Sequence, residues 1–245
     1  MKRKLAQPLL ITRVLIGLNL AMFALQIVNG ASLGSLFGGG AARNTAFDFD
    51  WTLFVSGVGA GQWWRLVTSG FMHFGAIHIG FNMLILYRLG QDLESGIGRL
   101  RFATIYFASL LGGSLAVVLL DAKGITGGAS GAVFGMAGAA TIALWQRGVR
   151  FYNTGWGPML AVNLLLTFAL PNISVGGHFG GLTVGVVLGW LLLRPNASKS
   201  QTRVGYLVAV AIIVATFAIA VPYAHNRHPS CVSSGTELAC LPGDF

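Results

Sequence analysis

The stretch GGASGAVFG, residues 127–135, places a serine among glycines where a polar segment gives way to an apolar one. Small residues follow Ser130 at every fourth position from Gly131, namely Gly131, Gly135 and Ala139. Small residues at this spacing form a flat ridge on which membrane helices approach one another closely. The stretch therefore predicts a helix that begins near the serine and packs tightly against a neighbour.

A second stretch, GGHFGGLTVGVVLG at residues 176–189, has the same character. Glycines recur every fourth residue around His178, at Gly177, Gly181, Gly185 and Gly189. If the two ridges face each other, the Ser130 hydroxyl comes within hydrogen-bond reach of the imidazole, and Gly128 and Ala129 leave the approach to the hydroxyl open. A histidine in that position can remove the hydroxyl proton and activate an otherwise weak nucleophile.

The composition is that of a membrane protein. Of the 245 residues, 54% are hydrophobic and 9% are charged, and the mean hydropathy is +0.71, whereas soluble domains carry about a quarter charged residues. Backbone groups in lipid need internal partners, so apolar blocks near the spanning length should be helices. We expect an all-α polytopic membrane protein with seven such blocks, at residues 10–28, 71–90, 102–120, 129–146, 155–171, 175–193 and 204–224.

The net charge of +9 indicates membrane topology rather than binding to nucleic acid. An excess of lysine and arginine on the cytoplasmic side orients membrane helices. With the N-terminus in the cytoplasm, 12 of the 16 basic residues fall on cytoplasmic segments, namely Lys2, Arg3, Lys4, Arg13, Arg88, Arg99, Arg101, Arg147, Arg150, Arg194, Lys199 and Arg203. We therefore expect a cytoplasmic N-terminus, an exterior C-terminus and no nucleic-acid partner.

The chain is expected to form one membrane domain with short ends. Residues 1–9 would be a basic cytoplasmic N-terminus, 10–195 the membrane core, 204–224 an extra transmembrane helix and 225–245 an exterior tail. The beginning of the chain also looks like a signal peptide. Its apolar run is long and is interrupted by Arg13, which favours an uncleaved first helix.

The two cysteines, Cys231 and Cys240, both lie in the expected exterior tail. A disulfide between them would suit an oxidising exterior and would tie down the end of the chain. Because spacing alone does not establish pairing, two unpaired thiols remain the alternative.

Residues 29–70 would form one long exterior connection between the first two predicted helices. This connection is rich in aromatic residues, namely Phe37, Phe47, Phe49, Trp51, Phe54, Trp63 and Trp64. Aromatic side chains favour the membrane–water interface. We therefore expect a folded loop that lies partly in that interface.

Few polar residues near the predicted helices are capable of acid–base or nucleophilic chemistry. They are His73, His78, Asn82, Ser130 and His178, and the expected topology puts all of them toward the exterior ends of their helices. His78 and Asn82 are four residues apart and share one helix face. Burying a polar group inside a membrane costs free energy, so such groups tend to be functional. A lone serine can instead be a helix-packing residue, and a lone histidine can be part of a proton pathway.

Five motifs, in the same order along the chain, resemble those of the rhomboid intramembrane serine proteases. They are Trp64–Arg65 in the long loop, HFGAIHIGFN from His73 to Asn82, ESGIG from Glu94 to Gly98, GASG around Ser130 and GHFGGLTVG around His178. The likeness covers residues from about 10 to 195. It implies a six-helix rhomboid core, to which the last apolar block adds a seventh, C-terminal transmembrane helix.

The resemblance implies a catalytic dyad. Ser130 would be the nucleophile, and His178 would be the general base that later protonates the leaving amine. The Ser130 backbone N–H and the side chains of His78 and Asn82 would form the oxyanion site. Preorganised donors of this kind contribute about 10²–10³ in rate apiece.

Four motif residues would be structural by the same resemblance. They are Trp64, Arg65, His73 and Glu94. Arg65 and His73 would hold the first loop, and Glu94 would brace the cytoplasmic turn after the second helix. One position departs from the family pattern, which often has a tyrosine four residues after the nucleophile where this chain has Phe134. Four residues along a helix keeps the ring on the serine face, so the ring contact with the histidine is retained and a hydroxyl is lost.

The expected function is that of an intramembrane serine endopeptidase that cleaves single-span membrane proteins near the outer face of the plasma membrane bilayer. No metal or cofactor is expected, because the histidines lack cysteine or carboxylate partners at ligand spacing. Two alternatives stay open. One is a catalytically silent rhomboid-fold protein that binds membrane helices, and the other is a small proton-coupled transporter.

Overall fold

The structure is a computed structural model that describes residues 9–31, 45–120, 124–150, 154, 156–169, 174–228, 232–234 and 237–239. The described helices are α1 Leu10–Val28, α2 Ala46–Trp51, α3 Val55–Gly59, α4 Arg65–Thr68, α5 Ala76–Leu89, α6 Ser95–Ile97, α7 Arg99–Leu120, α8 Ser130–Trp145, α9 Trp156–Ala169, α10 Val175–Leu192 and α11 Lys199–Arg227. Strand β1 Val232–Ser234 pairs antiparallel with β2 Glu237–Ala239. Cys231, Cys240 and residues 1–8, on which earlier predictions fall, lie outside the described residues.

Several helices have the length and composition of membrane spans. In the described part of the chain these are α1, α7, α10 and α11. The segments Arg65–Phe71 and Ala76–Ile97 pass the same test together, as a fifth span bent by 93°. Helix α8 is apolar but has only 16 residues. The prediction of a helical membrane fold is therefore confirmed, with four or five spans by this criterion.

The second predicted block, 71–90, begins its helix later than expected. A short 3-10 turn ends at Phe71, and α5 starts only at Ala76. Between them Gly75 has φ +127°, a conformation that side-chain-bearing residues rarely adopt. His73 consequently lies in the connection before the helix and not on it.

The last helix is longer than the predicted block of 204–224. Helix α11 begins at Lys199 because Ser198 and Gln201 form a capping box, in which each side chain accepts a hydrogen bond from the other residue's backbone N–H. It continues to Arg227.

The described part of the long loop, residues 45–70, is folded, since it contains α2, α3 and α4.

Helices α8 and α10 are in backbone contact along the two glycine ridges. A Cβ atom on Gly185 would overlap the carbonyl oxygen of Gly135, and one on Gly181 would overlap that of Gly131. Further along, a Cβ on Gly189 would lie 2.7 Å from the Cα of Ala139. The ridges therefore face each other, and their glycines allow no larger side chain.

Helix α7 completes a three-helix centre that the sequence analysis did not anticipate. A Cβ on Gly113 of α7 would lie 2.8 Å from the carbonyl oxygen of Gly177, and one on Gly180 would lie 2.7 Å from that of Gly112. Small residues do recur every fourth position in α7, at Ala108, Gly112 and Ala116, but the sequence predictions considered only the repeats beside Ser130 and His178. Close backbone approach thus holds α7, α8 and α10 together.

Glu94 caps the beginning of α1. Its fully buried carboxylate accepts hydrogen bonds from the backbone N–H groups of Ile11 and Thr12, both at 2.9 Å, and from the Thr12 hydroxyl at 2.6 Å. The first N–H groups of a helix have no partner within it, and a carboxylate also complements the helix dipole. Gly90, one turn earlier, permits this approach because a Cβ there would overlap the Thr12 side chain.

Arg65 holds the described part of the long loop together. Its side chain is buried, with 1% of its surface exposed. The guanidinium donates hydrogen bonds to three acceptors in the loop, namely the carbonyl oxygen of Phe49, that of Thr52 at 2.8 Å and Oε1 of Gln62 at 2.7 Å. The neighbouring Trp64 donates from Nε1 to the Asp50 carbonyl oxygen at 3.3 Å.

Replacing Gly185 with alanine should destabilise the protein, because the added methyl group would overlap the Gly135 carbonyl oxygen. Overpacking of this kind costs about 1–3 kcal/mol, which thermal unfolding in detergent micelles would detect as a lower midpoint. The control is Gly17→Ala on α1, where a Cβ meets nothing within 4 Å. Equal midpoints for the two variants would contradict the assigned packing.

Replacing Glu94 with alanine should lower the unfolding midpoint, because three donors at the start of α1 lose their acceptor. Loss of a helix cap costs about 0.5–2 kcal/mol. Glu94→Gln retains one acceptor oxygen and should fall between alanine and wild type. The exposed Gln91→Ala serves as control and should stay close to wild type, and an equal loss in Glu94→Ala and Gln91→Ala would argue against the cap.

Candidate active site

Ser130 and His178 are in direct contact at the starts of two helices. Ser130 is the first residue of α8, and His178 lies in the first turn of α10, whose beginning is capped by the Ser174 side chain through the Gly177 N–H at 2.9 Å. The Ser130 Oγ lies 2.7 Å from Nε2 of His178. Only 8% of the histidine surface is exposed. The contact is short enough for direct proton transfer between the hydroxyl and the ring.

The ring of Phe134 fixes the orientation of the imidazole. Phe134 lies one turn after Ser130 on the same face of α8. Its ring stacks on that of His178, with a centroid distance of 4.3 Å and an interplanar angle of 20°. Both rings are buried. The imidazole is therefore held between the hydroxyl at its Nε2 and an aromatic face, without any hydroxyl on the neighbouring ring.

Gly128 keeps a space open in front of the serine. Its φ is +135°, which favours glycine. A Cβ at this position would lie 2.9 Å from Nε2 of His78 and 3.6 Å from the Ser130 Oγ. A side chain at position 128 would therefore occupy the space between His78 and the Ser130 hydroxyl, which glycine leaves open.

His78 presents a hydrogen-bond donor to this space. The backbone N–H of Phe74 donates to Nδ1 of His78 at 3.4 Å, so the neutral ring carries its hydrogen on Nε2. Asn82, one turn further along α5, is buried and donates from Nδ2 to the His78 carbonyl oxygen at 2.9 Å. The amide has a second hydrogen to donate, but the structure gives it no hydrogen bond to Ser130.

His73 joins the segment before the serine to the first helix. Its ring accepts a hydrogen bond at Nε2 from the Ala129 N–H at 3.4 Å, and its Nδ1 lies 3.3 Å from the Phe71 carbonyl oxygen. The His73 backbone N–H donates to Oε1 of Gln26 at 3.1 Å, and Gln26 in turn donates to Asp48 at 2.7 Å. Gln26 and Asp48 did not emerge from the sequence analysis, although a buried glutamine in an apolar helix is a usable signal.

The first loop pairs directly with the segment that precedes Ser130. Leu53 and Thr126 exchange two backbone hydrogen bonds of 2.9 and 2.8 Å in an isolated antiparallel bridge. Two residues later, the Gly128 N–H donates to the Ser69 carbonyl oxygen at 2.8 Å. The backbone on the N-terminal side of the serine is therefore held from two sides.

The other residues singled out from the sequence lie away from this contact. Trp64 and Arg65 hold the loop, and Glu94 lies five residues beyond the C-terminal end of α5, where it caps α1. Gly131, Gly181 and Gly185 form the interface between α8 and α10. Among the residues that the structure describes, no three His, Cys, Asp or Glu side chains are grouped as a metal site would require.

Comparison with known proteins gives a family match over the region that contains this site. The model of the Rhomboid domain matches residues 60–195. Similar proteins include Rhomboid protease GluP of Bacillus subtilis strain 168, which is 34% identical over 207 residues, covering 82% of this chain and 38% of that protein. RHOMBOID-like protein 5 of Arabidopsis thaliana is 38% identical over 147 residues, covering 57% of this chain and 47% of that protein.

A third relative, Rhomboid-type serine protease 2 of Emericella nidulans, is 32% identical over 151 residues, covering 57% of this chain and 29% of that protein. The chain spans less than half the length of each of these three relatives. The domain match, in contrast, extends over more than half of this chain, from residue 60 to residue 195. The chain therefore belongs to the rhomboid family and is a multi-pass membrane protein.

Proposed function

We propose that the chain is an intramembrane serine endopeptidase that uses Ser130 as nucleophile and His178 as general base. The observation that carries the proposal is the 2.7 Å contact between the serine Oγ and the histidine Nε2. The names of two relatives, a rhomboid protease and a rhomboid-type serine protease, support a proteolytic activity.

In the proposed reaction, Nε2 of His178 takes the proton of the Ser130 hydroxyl while Oγ attacks the carbonyl carbon of the scissile peptide bond. The imidazolium then gives this proton to the leaving amine as the carbon–nitrogen bond breaks, which leaves an acyl ester on the serine. A water molecule, deprotonated by the same imidazole, hydrolyses the ester and restores both side chains. The stacked Phe134 ring keeps Nε2 directed at the hydroxyl throughout.

The oxyanion would form in the space that Gly128 leaves open. Nε2 of His78 borders this space and carries a hydrogen. The N–H of Ser130 belongs to the first turn of α8, where N–H groups have no partner inside the helix and the helix dipole favours negative charge. The second amide hydrogen of Asn82, which lies one turn after His78 on α5, would complete the donor set.

We further propose that the site faces the outer side of the plasma membrane. Ser130 and His178 lie in the first turns of their helices. Eight of the eleven basic residues in the described part of the chain lie at the other ends of the helices, namely Arg88, Arg99, Arg101, Arg147, Arg150, Arg194, Lys199 and Arg203. Basic residues mark the cytoplasmic side. This orientation gives a cytoplasmic N-terminus, an exterior C-terminus and access of external water to the serine.

The proposed membrane topology has a six-helix core within residues 10–195. It is formed by α1, the bent span that ends at Ile97, α7, α8, α9 and α10. Helix α11 would be a seventh span, and residues 225–245 would form the exterior tail. The substrates would be single-span membrane proteins in the lipid bilayer. Because a helix must unwind before its carbonyl groups become accessible, segments with helix-destabilising small residues should be cleaved preferentially.

Replacing Ser130 or His178 with alanine should abolish cleavage, with a loss in kcat of about 10⁴-fold or more. Purified wild type and variants would be reconstituted in liposomes with a labelled single-span substrate, and the products would be separated by electrophoresis. The exposed Ser95→Ala is the control and should cleave at the wild-type rate. Unchanged cleavage by Ser130→Ala would refute the proposed mechanism.

The same preparation separates the enzyme from a silent binding protein. A phosphonate that reacts with activated serine hydroxyls should label wild type and leave Ser130→Ala unlabelled. Absence of labelling in wild type, together with retention of the substrate by both proteins, would favour the catalytically silent alternative.

Replacing His78 or Asn82 with alanine should lower kcat by about 10²–10³-fold for each donor removed. The effect should appear mainly in kcat, because the donors act on charge that develops in the transition state. Phe81→Ala, whose side chain on the same helix is half exposed, provides the control. A change confined to KM in the His78 and Asn82 variants would contradict a role in the oxyanion site.

A further inference from the structure

The C-terminal end of α11 is in close contact with the first loop. A Cβ on Gly59, the last residue of α3, would lie 2.6 Å from the carbonyl oxygen of Ala224. The ring of Trp63 packs edge-on against that of Phe217, with centroids 6.1 Å apart. Ala224 is fully buried by this contact region. The family match ends at residue 195, so α11 lies outside it.

A hydrogen bond joins the end of α11 to α3 across this contact. Nδ1 of His225 lies 3.1 Å from the carbonyl oxygen of Gly59. A carbonyl oxygen only accepts, so Nδ1 must carry the ring hydrogen and donate it. The amide nitrogen of an asparagine at position 225 would lie near the same place, which gives a conservative replacement.

From α3 the contacts continue to Arg65. A Cβ on Gly57, within α3, would lie 2.7 Å from Nε of Arg65. The buried Arg65 guanidinium donates to the Thr52 carbonyl oxygen at 2.8 Å. Helix α3 therefore forms one wall of the site that holds this guanidinium, and the guanidinium holds the loop backbone at Thr52.

The loop backbone then reaches the serine. Leu53 follows Thr52 directly and forms the two-bond bridge with Thr126. Three residues separate Thr126 from Ser130, and the middle one, Gly128, borders the space in front of the hydroxyl. A continuous series of packed groups thus runs from the end of α11 to the segment that sets the serine.

We propose that α11 is a positioning element of the active site, and that His225 and Gly59 are its contact with the first loop. In this proposal α11 fixes the position of α3. Helix α3 and Arg65 then fix the loop backbone, and the Leu53–Thr126 bridge keeps residues 126–130 in the position that the reaction requires. The proposal rests on the proposed function for its catalytic part. Its structural part is the coupling of α11 to residues 124–128, which can be measured by hydrogen–deuterium exchange whether or not the protein cleaves a substrate.

The test compares wild type, His225→Ala and His225→Asn in liposomes. Hydrogen–deuterium exchange would follow peptides that contain Leu53 and Thr126, and cleavage of a single-span substrate would give kcat and KM. Loss of one hydrogen bond should raise exchange at both amides, and lower kcat, by about 2- to 10-fold. KM should stay near wild type, and His225→Asn should restore both quantities.

Thr216→Val is the matched control on the same helix. The Thr216 hydroxyl bonds to carbonyl oxygens of Ile212 at 2.9 Å and of Leu111 at 3.4 Å, on the α7 side and away from α3. This variant should leave exchange at Leu53 and Thr126 unchanged. If His225→Ala does not fold, Gly59→Ala provides a second test, because its added methyl group would push against the Ala224 carbonyl oxygen.

The outcomes separate the two proposals. Wild-type exchange at Leu53 and Thr126 in His225→Ala would overturn the coupling, as would an Asn variant that behaves like alanine. Raised exchange with unchanged kcat would overturn the positioning role. A wild type that cleaves no better than Ser130→Ala would instead count against the proposed function, while the exchange measurements would still decide the coupling.

Discussion

The backbone contact between α8 and α10 is the constraint on which the rest of the structure depends. Cβ atoms on Gly135, Gly181 and Gly185 would lie less than 3.0 Å from a backbone carbonyl oxygen of the facing helix. One on Gly131 would lie 3.2 Å from the Gly177 carbonyl oxygen. Lipid provides no hydrophobic drive for helix association, so dispersion over this close interface has to supply the cohesion. The same separation sets the distance between the first turns of the two helices, and with it the reach from the Ser130 hydroxyl to the His178 ring. The close packing of α8 and α10 is therefore also the condition for the contact between the serine and the histidine.

The sequence predicted the parts of the fold that repeat along a single helix. The glycine ridges, the apolar blocks and the pairing of His78 with Asn82 on one face all follow from a period of about four residues. The bend before α5 was not predictable in this way, since it depends on the positive φ of Gly75 and on the loop packed beside it. The role of α7 was missed although Ala108, Gly112 and Ala116 repeat every fourth residue, because that spacing alone does not identify the facing helix.

The candidate site was predictable to the extent that its residues carry chemistry of their own. A serine and a histidine at the ends of glycine ridges can be predicted as site residues from the sequence. The residues that position them cannot, because their side chains have no distinctive chemistry until their hydrogen-bond partners are known. Gln26 is an example, because its value lies in joining the His73 backbone to Asp48 across three separate segments. Long-range hydrogen bonds of this type leave no periodic trace in a sequence. Motif resemblance supplied the expected structural positions, but their hydrogen-bond partners required coordinates.

The capping of α1 by Glu94 has a consequence for biosynthesis. The carboxylate and the N–H group of Ile11 that it accepts from are 83 positions apart. At about 5–20 residues per second, a ribosome needs roughly 4–17 s to make that length of chain. Throughout this interval the first turn of the newly inserted helix must obtain its hydrogen bonds from water or lipid headgroups at the membrane surface. Maturation of the first span is therefore delayed until the second has been inserted, which makes the order of synthesis part of how the protein assembles.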